Sequence, residues 1–287
     1  LDIRSAEDYA KGHIQGAVNI PYGVDVADAL EIIPNDQPVL VYCYSGQTAS
    51  QTVALLRLAG KDAYNVSGGF TGISKQEKAK QLTVKTETAL PEGNYPVDPQ
   101  LKQAIREYYE LVAQSGKFNM SAEQVKKEAS EGKIYLVDIR SENDYLKSRI
   151  SFAKENIPFG KGMQTALANL PKDQKIVFQC YSGQTASQTV AIARMMGLDA
   201  YNLSGGMGAK GGSGWLGAGY HVVKYSTQQF LNAKVDRYFK NLPENKNQLS
   251  AAAFLAAVED KEDAVILDIR SAEDYAKGHV KGAVNVP

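Results

Sequence analysis

Val39-Leu40-Val41-Tyr42-Cys43-Tyr44-Ser45-Gly46-Gln47-Thr48-Ala49-Ser50-Gln51-Thr52-Val53-Ala54-Leu55-Leu56 holds three elements in one line. An apolar, β-rich run comes first, a short polar loop with a glycine follows, and then apolar residues recur at helical spacing. A strand buried on both faces reads as a continuous apolar run, as in the parallel sheet of an α/β protein. The strand is expected over Pro38 to Cys43 and the helix over Thr48 to Leu58, stopped by Gly60. Ala63 to Val66 reads as one more short strand before a Gly-Gly turn.

Twelve residues of that line, Cys43 to Ala54, recur without a change at Cys180 to Ala191. The strand Lys175 to Cys180 enters the second copy, and the helix Thr185 to Met196 leaves it, stopped by Gly197. Asp-Ile-Arg-Ser stands at Asp2 to Ser5, Asp138 to Ser141 and Asp268 to Ser271. Asp-Ala-Tyr-Asn, an apolar residue and Ser-Gly-Gly run from Asp62 to Gly69 and from Asp199 to Gly206. Copies lie 136 or 137 residues apart, then 130 to the partial third, a period that makes each repeat a whole domain. Leu1 to Pro21 and Leu267 to Pro287 agree at 18 of 21 positions, differing at Ile14/Val280, Gln15/Lys281 and Ile20/Val286. The middle copy is more distant, with Arg149 for His13 and Phe152 for Gly16.

The expected organisation is therefore a domain A at residues 1–75 without its N-terminal lead, a connector and lead helix at 76–118, and a complete domain B at 119–206. A Gly-rich connector and lead helix at 207–247 and the opening part of a further domain A at 248–287 follow. The two terminal copies cannot occupy one place, so residues from about 226 onward are expected to complete residues 1–75, within a molecule or by end-to-end self-association.

Within a repeat, Ile134 to Ile139 and Ala264 to Ile269 suit buried parallel strands. Ser121 and Ser250 read as helix N-caps, and Ser141 to Lys147 as a short helix opened by its serine. Leu101 to Ser115, and the segment with Val235, Tyr238 and Phe239, read as lead helices that pack on their own domains. Gly205 to Gly219 lacks the Gly-Lys-Ser/Thr ending of a phosphate loop and reads as a flexible turn, with Trp215 and Tyr220 packing the connector. The fold class is α/β, each domain a mainly parallel sheet covered by helices on both faces. Arg4, Arg140 and Arg270 follow a strand and are expected to pair with a nearby acid at the strand–helix corner. His13 and His279 are expected to make local hydrogen bonds.

Composition excludes several function classes. Lys plus Arg is 32 and Asp plus Glu is 32, so no net charge draws the chain to nucleic acid or an anionic membrane. No apolar run reaches the roughly 18 residues that span a bilayer. Two cysteines make neither a disulfide framework nor a thiolate zinc site, and His13, His221 and His279 are scattered. No metal and no cofactor are called for.

Chemistry is expected at the cysteine loops. The carboxyl end of a parallel strand, beside the next helix N-terminus, is where α/β sheets bind ligands. Backbone N–H groups of residues 44 to 48 and 181 to 185 would form an anion-binding nest around Cys43 and Cys180, lowering the thiol pKa. The candidate loop residues are Tyr44, Ser45, Gly46, Gln47 and Thr48, and Tyr181, Ser182, Gly183, Gln184 and Thr185. Gly46 relieves crowding, and Thr48 and Ser50 are placed to cap the helix or to donate to the bound anion. A buried, purely structural cysteine is the competing reading.

Asp2-Ile3-Arg4, Glu7-Asp8-Tyr9, Gly12-His13-Ile14 and Gly16 to Pro21 resemble the opening signature of the rhodanese family. The six-residue loop Cys43 to Thr48 resembles its active-site loop, and Ser67-Gly68-Gly69 its closing turn. Domain B departs at Ser148-Arg149, where the family pattern has Gly-His, but keeps its cysteine loop. The resemblance implies a tandem sulfurtransferase in which Cys43 and Cys180 are catalytic. Each would accept a sulfane sulfur as a persulfide and pass it to a thiol or cyanide. A persulfide carrier or redox-sensing module with little turnover is the alternative, with a persulfide-carrying protein as partner. Related cysteine phosphatases close a longer loop with Arg, but Ala49 and Ala186 sit six residues after the cysteines and neither loop contains Arg or Lys. The neutral loop suits polysulfide or a persulfide more than thiosulfate. Tyr238-Phe239-Lys240-Asn241-Leu242-Pro243 resembles the lead of exported bacterial relatives, implying a cell-envelope location with the cytoplasm as the alternative.

Overall fold

A computed structural model describes residues 1–260 and 264–287; of the expected last segment 248–287, residues 261–263 lie outside the described residues. Two compact units result, Leu1–Ser226 and Thr227–Pro287. Their boundary falls inside the expected connector 207–247. Among the described residues no helix is long and apolar enough to cross a membrane.

The first unit holds both cysteine repeats. The second repeat is built on a five-stranded parallel sheet in the order Asn119–Met120, Ala200–Leu203, Lys175–Gln179, Ile134–Asp138 and Ala153–Asn156. Central strands pair Ile134 with Lys175 through to Asp138 with Gln179. Alternation sends Ile176 and Phe178 into one apolar cluster and Val177 into another on the opposite face, with Met120, Val125, Leu136 and Trp215. That two-sided burial is why Lys175–Gln179 reads as an unbroken apolar run. Ser121 caps the helix Ala122–Ser130 in a full capping box with Gln124, and Ser141 caps the helix Glu142–Lys147.

The first repeat keeps the same plan in shorter form. Val39–Val41 runs parallel to Ala63–Asn65, and Asp2 bridges in parallel to Tyr42 on one side and Asn19 on the other. His13–Ile14 pairs antiparallel with Thr83–Val84. The helices Gln47–Leu58 and Gln184–Met195, one from each repeat, pack against each other, and one apolar core runs from Ile3 and Leu55 to Phe178 and Val190.

The helix Pro99–Ser115 departs from expectation by packing on both repeats, on Val24–Asp28 of the first and on Gln184–Met195 of the second. Its buried face explains this. Tyr108 and Tyr109 carry hydroxyls into the junction, where Tyr108 donates to Gln51 Oε1 at 3.0 Å and Tyr109 meets Thr52 Oγ1 at 3.1 Å. The Gly-rich connector is not the expected flexible turn. Trp215 anchors it in the core, its Nε1 donating to the His221 carbonyl at 2.9 Å and its ring edge-on to Tyr220.

The second unit contains the helices Thr227–Lys240, Ala251–Glu259 and Ala272–Lys277, and the short parallel strands Leu267–Asp268 and Val284–Asn285. The expected buried strand Ala264 to Ile269 is reduced to Leu267–Asp268, and Val265 and Ile269 are 81% and 78% exposed. The cause is missing neighbours. Its counterpart Ile134–Asp138 is covered by Lys175–Gln179 and by flanking helices, and no equivalent of that strand occurs among the unit's described residues.

Candidate active site

Each cysteine ends a central strand and is buried. Gly46 N–H donates to Cys43 Sγ at 3.1 Å and Ala49 N–H at 3.4 Å. In the second repeat Gly183 and Ala186 do the same to Cys180 Sγ, at 3.1 and 3.4 Å. The chain can turn so tightly because Gly46 and Gly183 sit in the left-handed region, with φ of 88° and 84°, directly before the helices.

The Ser-Gly-Gly turn holds the loop from outside. Phe70 N–H donates to the Cys43 carbonyl at 2.7 Å and Thr71 N–H to the Tyr44 carbonyl at 3.0 Å. Met207 and Gly208 repeat both bonds on Cys180 and Tyr181, at 2.7 and 2.9 Å. With the carbonyls engaged on one side, N–H groups of the same loop face the sulfur on the other.

The loop residues are put to more varied use than a nest of five consecutive residues. Tyr44 OH donates to Asp8 Oδ2 at 2.6 Å and accepts from Ser5 N–H at 3.3 Å, tying the loop to the start of the helix Ala6–Lys11. Tyr181 OH donates to Asp144 Oδ2 at 2.6 Å and accepts from Ser141 N–H at 3.3 Å. Gln47 and Gln184 send their amides into the opposite repeat. Ser45 Oγ accepts from Gln47 Nε2 at 3.4 Å. Neither Thr48 nor Ser50 caps the helix, since Gly46 is the N-cap and makes no side-chain cap; the buried Ser50 Oγ finds no hydrogen-bond partner, and neither does Ser187 Oγ. Ala49 and Ala186 donate to sulfur although they lie one residue beyond the expected loops. Helix phase could have found them, since an N–H of the first helical turn points back along the axis.

The supporting arginines pair as expected, with the acid of their own Asp-Ile-Arg. Arg4 grips Asp2 at 2.7 Å and donates to the Gly12 carbonyl at 2.8 Å; Arg140 grips Asp138 and donates to the Ser148 carbonyl, both at 2.6 Å. His13 stacks on Tyr9 and bonds the carbonyls of Tyr9 and Thr86, at 2.9 and 3.1 Å, so both ring nitrogens are occupied away from the sulfur.

This strand-end cysteine, with its glycine donor and its donor from the first helical turn, is matched by sequence. The pattern of the rhodanese-like domain covers residues 1–76, 121–209 and 250–287. The chain belongs to the rhodanese-like domain family. Its rhodanese-like segments are similar to thiosulfate sulfurtransferase GlpE of Pseudomonas fluorescens, 39% identical over 71 residues, which is 24% of this chain and 64% of that protein. They are also similar to the uncharacterized protein YqhL of Bacillus subtilis, 33% identical over 82 residues, 28% of this chain and 64% of that one. The chain thus spans a little under two thirds of the length of these relatives. Among solved structures, thiosulfate sulfurtransferase from Pseudomonas aeruginosa aligns with 100% of this chain and 53% of its own, at 20% identity and a TM-score of 0.31.

Proposed function

We propose that the protein is a sulfurtransferase with two sites, in which Cys43 and Cys180 each carry a sulfane sulfur as a persulfide. The observation that supports it most is the pair of backbone N–H donors on each buried sulfur, repeated to within the same distances in both repeats. Fixed N–H dipoles aimed at sulfur stabilise an anion there without the cost of reorganising solvent. The nucleophile is the thiolate.

The reaction is a double displacement. The thiolate Sγ attacks the outer sulfur of a donor, a new S–S bond forms, and the donor's S–S bond breaks, its electron pair leaving with the reduced fragment. A thiol or cyanide then attacks the outer sulfur of the persulfide. That breaks the S–S bond, returns the pair to Sγ and restores the thiolate. Residues 44 to 49 and 181 to 186 include no Arg or Lys, so the loop supplies dipoles rather than a counter-charge. This favours a small polysulfide or an organic persulfide as donor over dianionic thiosulfate.

Intact-mass measurement after exposure to polysulfide tests the reading. One added sulfur on each cysteine, removed by cyanide, is expected, with each Cys→Ser variant losing one of the two. No added sulfur on either cysteine rejects the proposal. Sulfur that loads but is not discharged makes the chain a persulfide carrier instead.

A further inference from the structure

The side chains of Gln47 and Gln184 reach out of their own cysteine loops into the opposite repeat, although Gln47 also keeps a 3.4 Å bond to Ser45 Oγ of its own loop. Gln184, four residues after Cys180, accepts from Asn65 Nδ2 at 2.8 Å through Oε1 and donates to Ser67 Oγ at 3.3 Å through Nε2, both in the first repeat. Its amide abuts Gly46, where an added Cβ would stand 3.2 Å from Gln184 Cδ and Oε1. Gly46 is the residue whose N–H donates to Cys43 Sγ.

The mirror contact is present. Gln47 Oε1 accepts from Asn202 Nδ2 at 2.8 Å and from Gly205 N–H at 3.4 Å, both in the second repeat. A Cβ on Gly183 would lie 2.8 Å from Gln47 Oε1, and Gly183 N–H is the donor to Cys180 Sγ. The contacts therefore close into a ring. One sulfur is held by Gly46, whose next residue reaches Gly183; the other sulfur is held by Gly183, whose next residue reaches Gly46.

We propose that Gln47 and Gln184 are positioning residues acting across the repeat junction, each setting the donor glycine of the other repeat's cysteine, so that the two sulfur sites are coupled. This rests on the reading of Cys43 and Cys180 as the sulfur-bearing groups. The reason is steric as well as polar. Gly46 is held between the Val66 carbonyl on its own side, 3.2 Å from the Cβ position, and the Gln184 amide on the other. Removing the amide frees a glycine in the left-handed region to rotate its N–H off the sulfur. Loading one cysteine moves its own glycine, and the glutamine on the far side moves with it.

The test uses the full chain with one thiol at a time. In Cys180→Ser, alkylation of Cys43 by iodoacetamide is followed against pH, then repeated with Gln184→Ala added. The expected result is a rate at Cys43 changed about three- to tenfold, the scale of one lost hydrogen bond, together with a displaced pH profile. For sulfur transfer kcat falls while KM is little altered. Asn65→Ala gives the same shift, and adding it to Gln184→Ala gives no further change. Cys43→Ser with Gln47→Ala reports the reverse direction at Cys180. Should Gln184→Ala fail to fold, Gln184→Asn, which withdraws the amide by one methylene, carries the same expectation. An unchanged alkylation rate and pH profile, with only a lower melting temperature, overturns the coupling. Alkylation needs no sulfur donor, so absence of persulfide in the parent protein rejects the sulfur chemistry and leaves the coupling separately readable.

Discussion

Gly69 and Gly206 have their Cα atoms pressed into the backs of the cysteine loops. A Cβ on Gly206 would stand 2.5 Å from the Cys180 carbonyl and 2.8 Å from the amide nitrogens of Ser182 and Gly183, all of them backbone. Backbone atoms cannot step aside as a side-chain tip can. With φ at 58°, an L side chain is strained there besides. Gly206→Ala is therefore expected to cost roughly 2 kcal/mol or more in urea unfolding and to slow alkylation of Cys180. A variant of parental stability with unaltered alkylation would mean the loop has slack that these distances deny.

At the scale of elements, the tyrosines join loop to helix. The Tyr181 hydroxyl, and after it Ser141, hold the Asp144 carboxyl down at about 2. The folded value lies below the unfolded one, so this interaction stabilises above the unfolded pKa and is lost as pH falls through about 2. Tyr181→Phe is expected to raise the midpoint toward the ordinary carboxylate value, read from the Asp144 carboxyl carbon by NMR titration. An unmoved midpoint would assign the depression to Ser141 and Lys147. The elements themselves were legible in the sequence. Ser121, Ser141 and Ser250 each cap the helix expected of them, and the strand–loop–helix around each cysteine follows from local apolar spacing. The cysteine and its glycine were legible for the same reason. The ends of Tyr44 and Gln47 were not, because their partners lie 36 and 155 residues away and local spacing carries no record of distant packing. The strand expected at Ala264 to Ile269 failed for the complementary reason: an apolar run makes a buried strand only where neighbours cover it.

The whole molecule contains one motif, Asp-Ile-Arg, in three surroundings. Arg4 and Arg140 with their aspartates are buried, at 4% and 0% exposure in each pair, whereas Arg270 and Asp268 stand at 51% and 13%. Internal geometry is nearly the same in all three, so the motif forms by itself and its surroundings decide what it contributes. Arg140→Met is expected to destabilise by about 3 kcal/mol, because Asp138 is left buried without its partner. Arg270→Met is expected to leave thermal unfolding unchanged, since water replaces the lost partner. Equal losses from both would show that burial does not govern the pair.

The crossed glutamines also bear on how a duplicated gene ages. Copies of a domain are free to drift apart wherever each side chain answers only to its own copy, as Ser148-Arg149 has done against Gly12-His13. Gln47 and Gln184 make contacts in the other copy, and on the coupling proposed above a change in either is expected to be felt at the sister site. The twelve residues that begin at each cysteine are letter for letter the same, as two halves of one part.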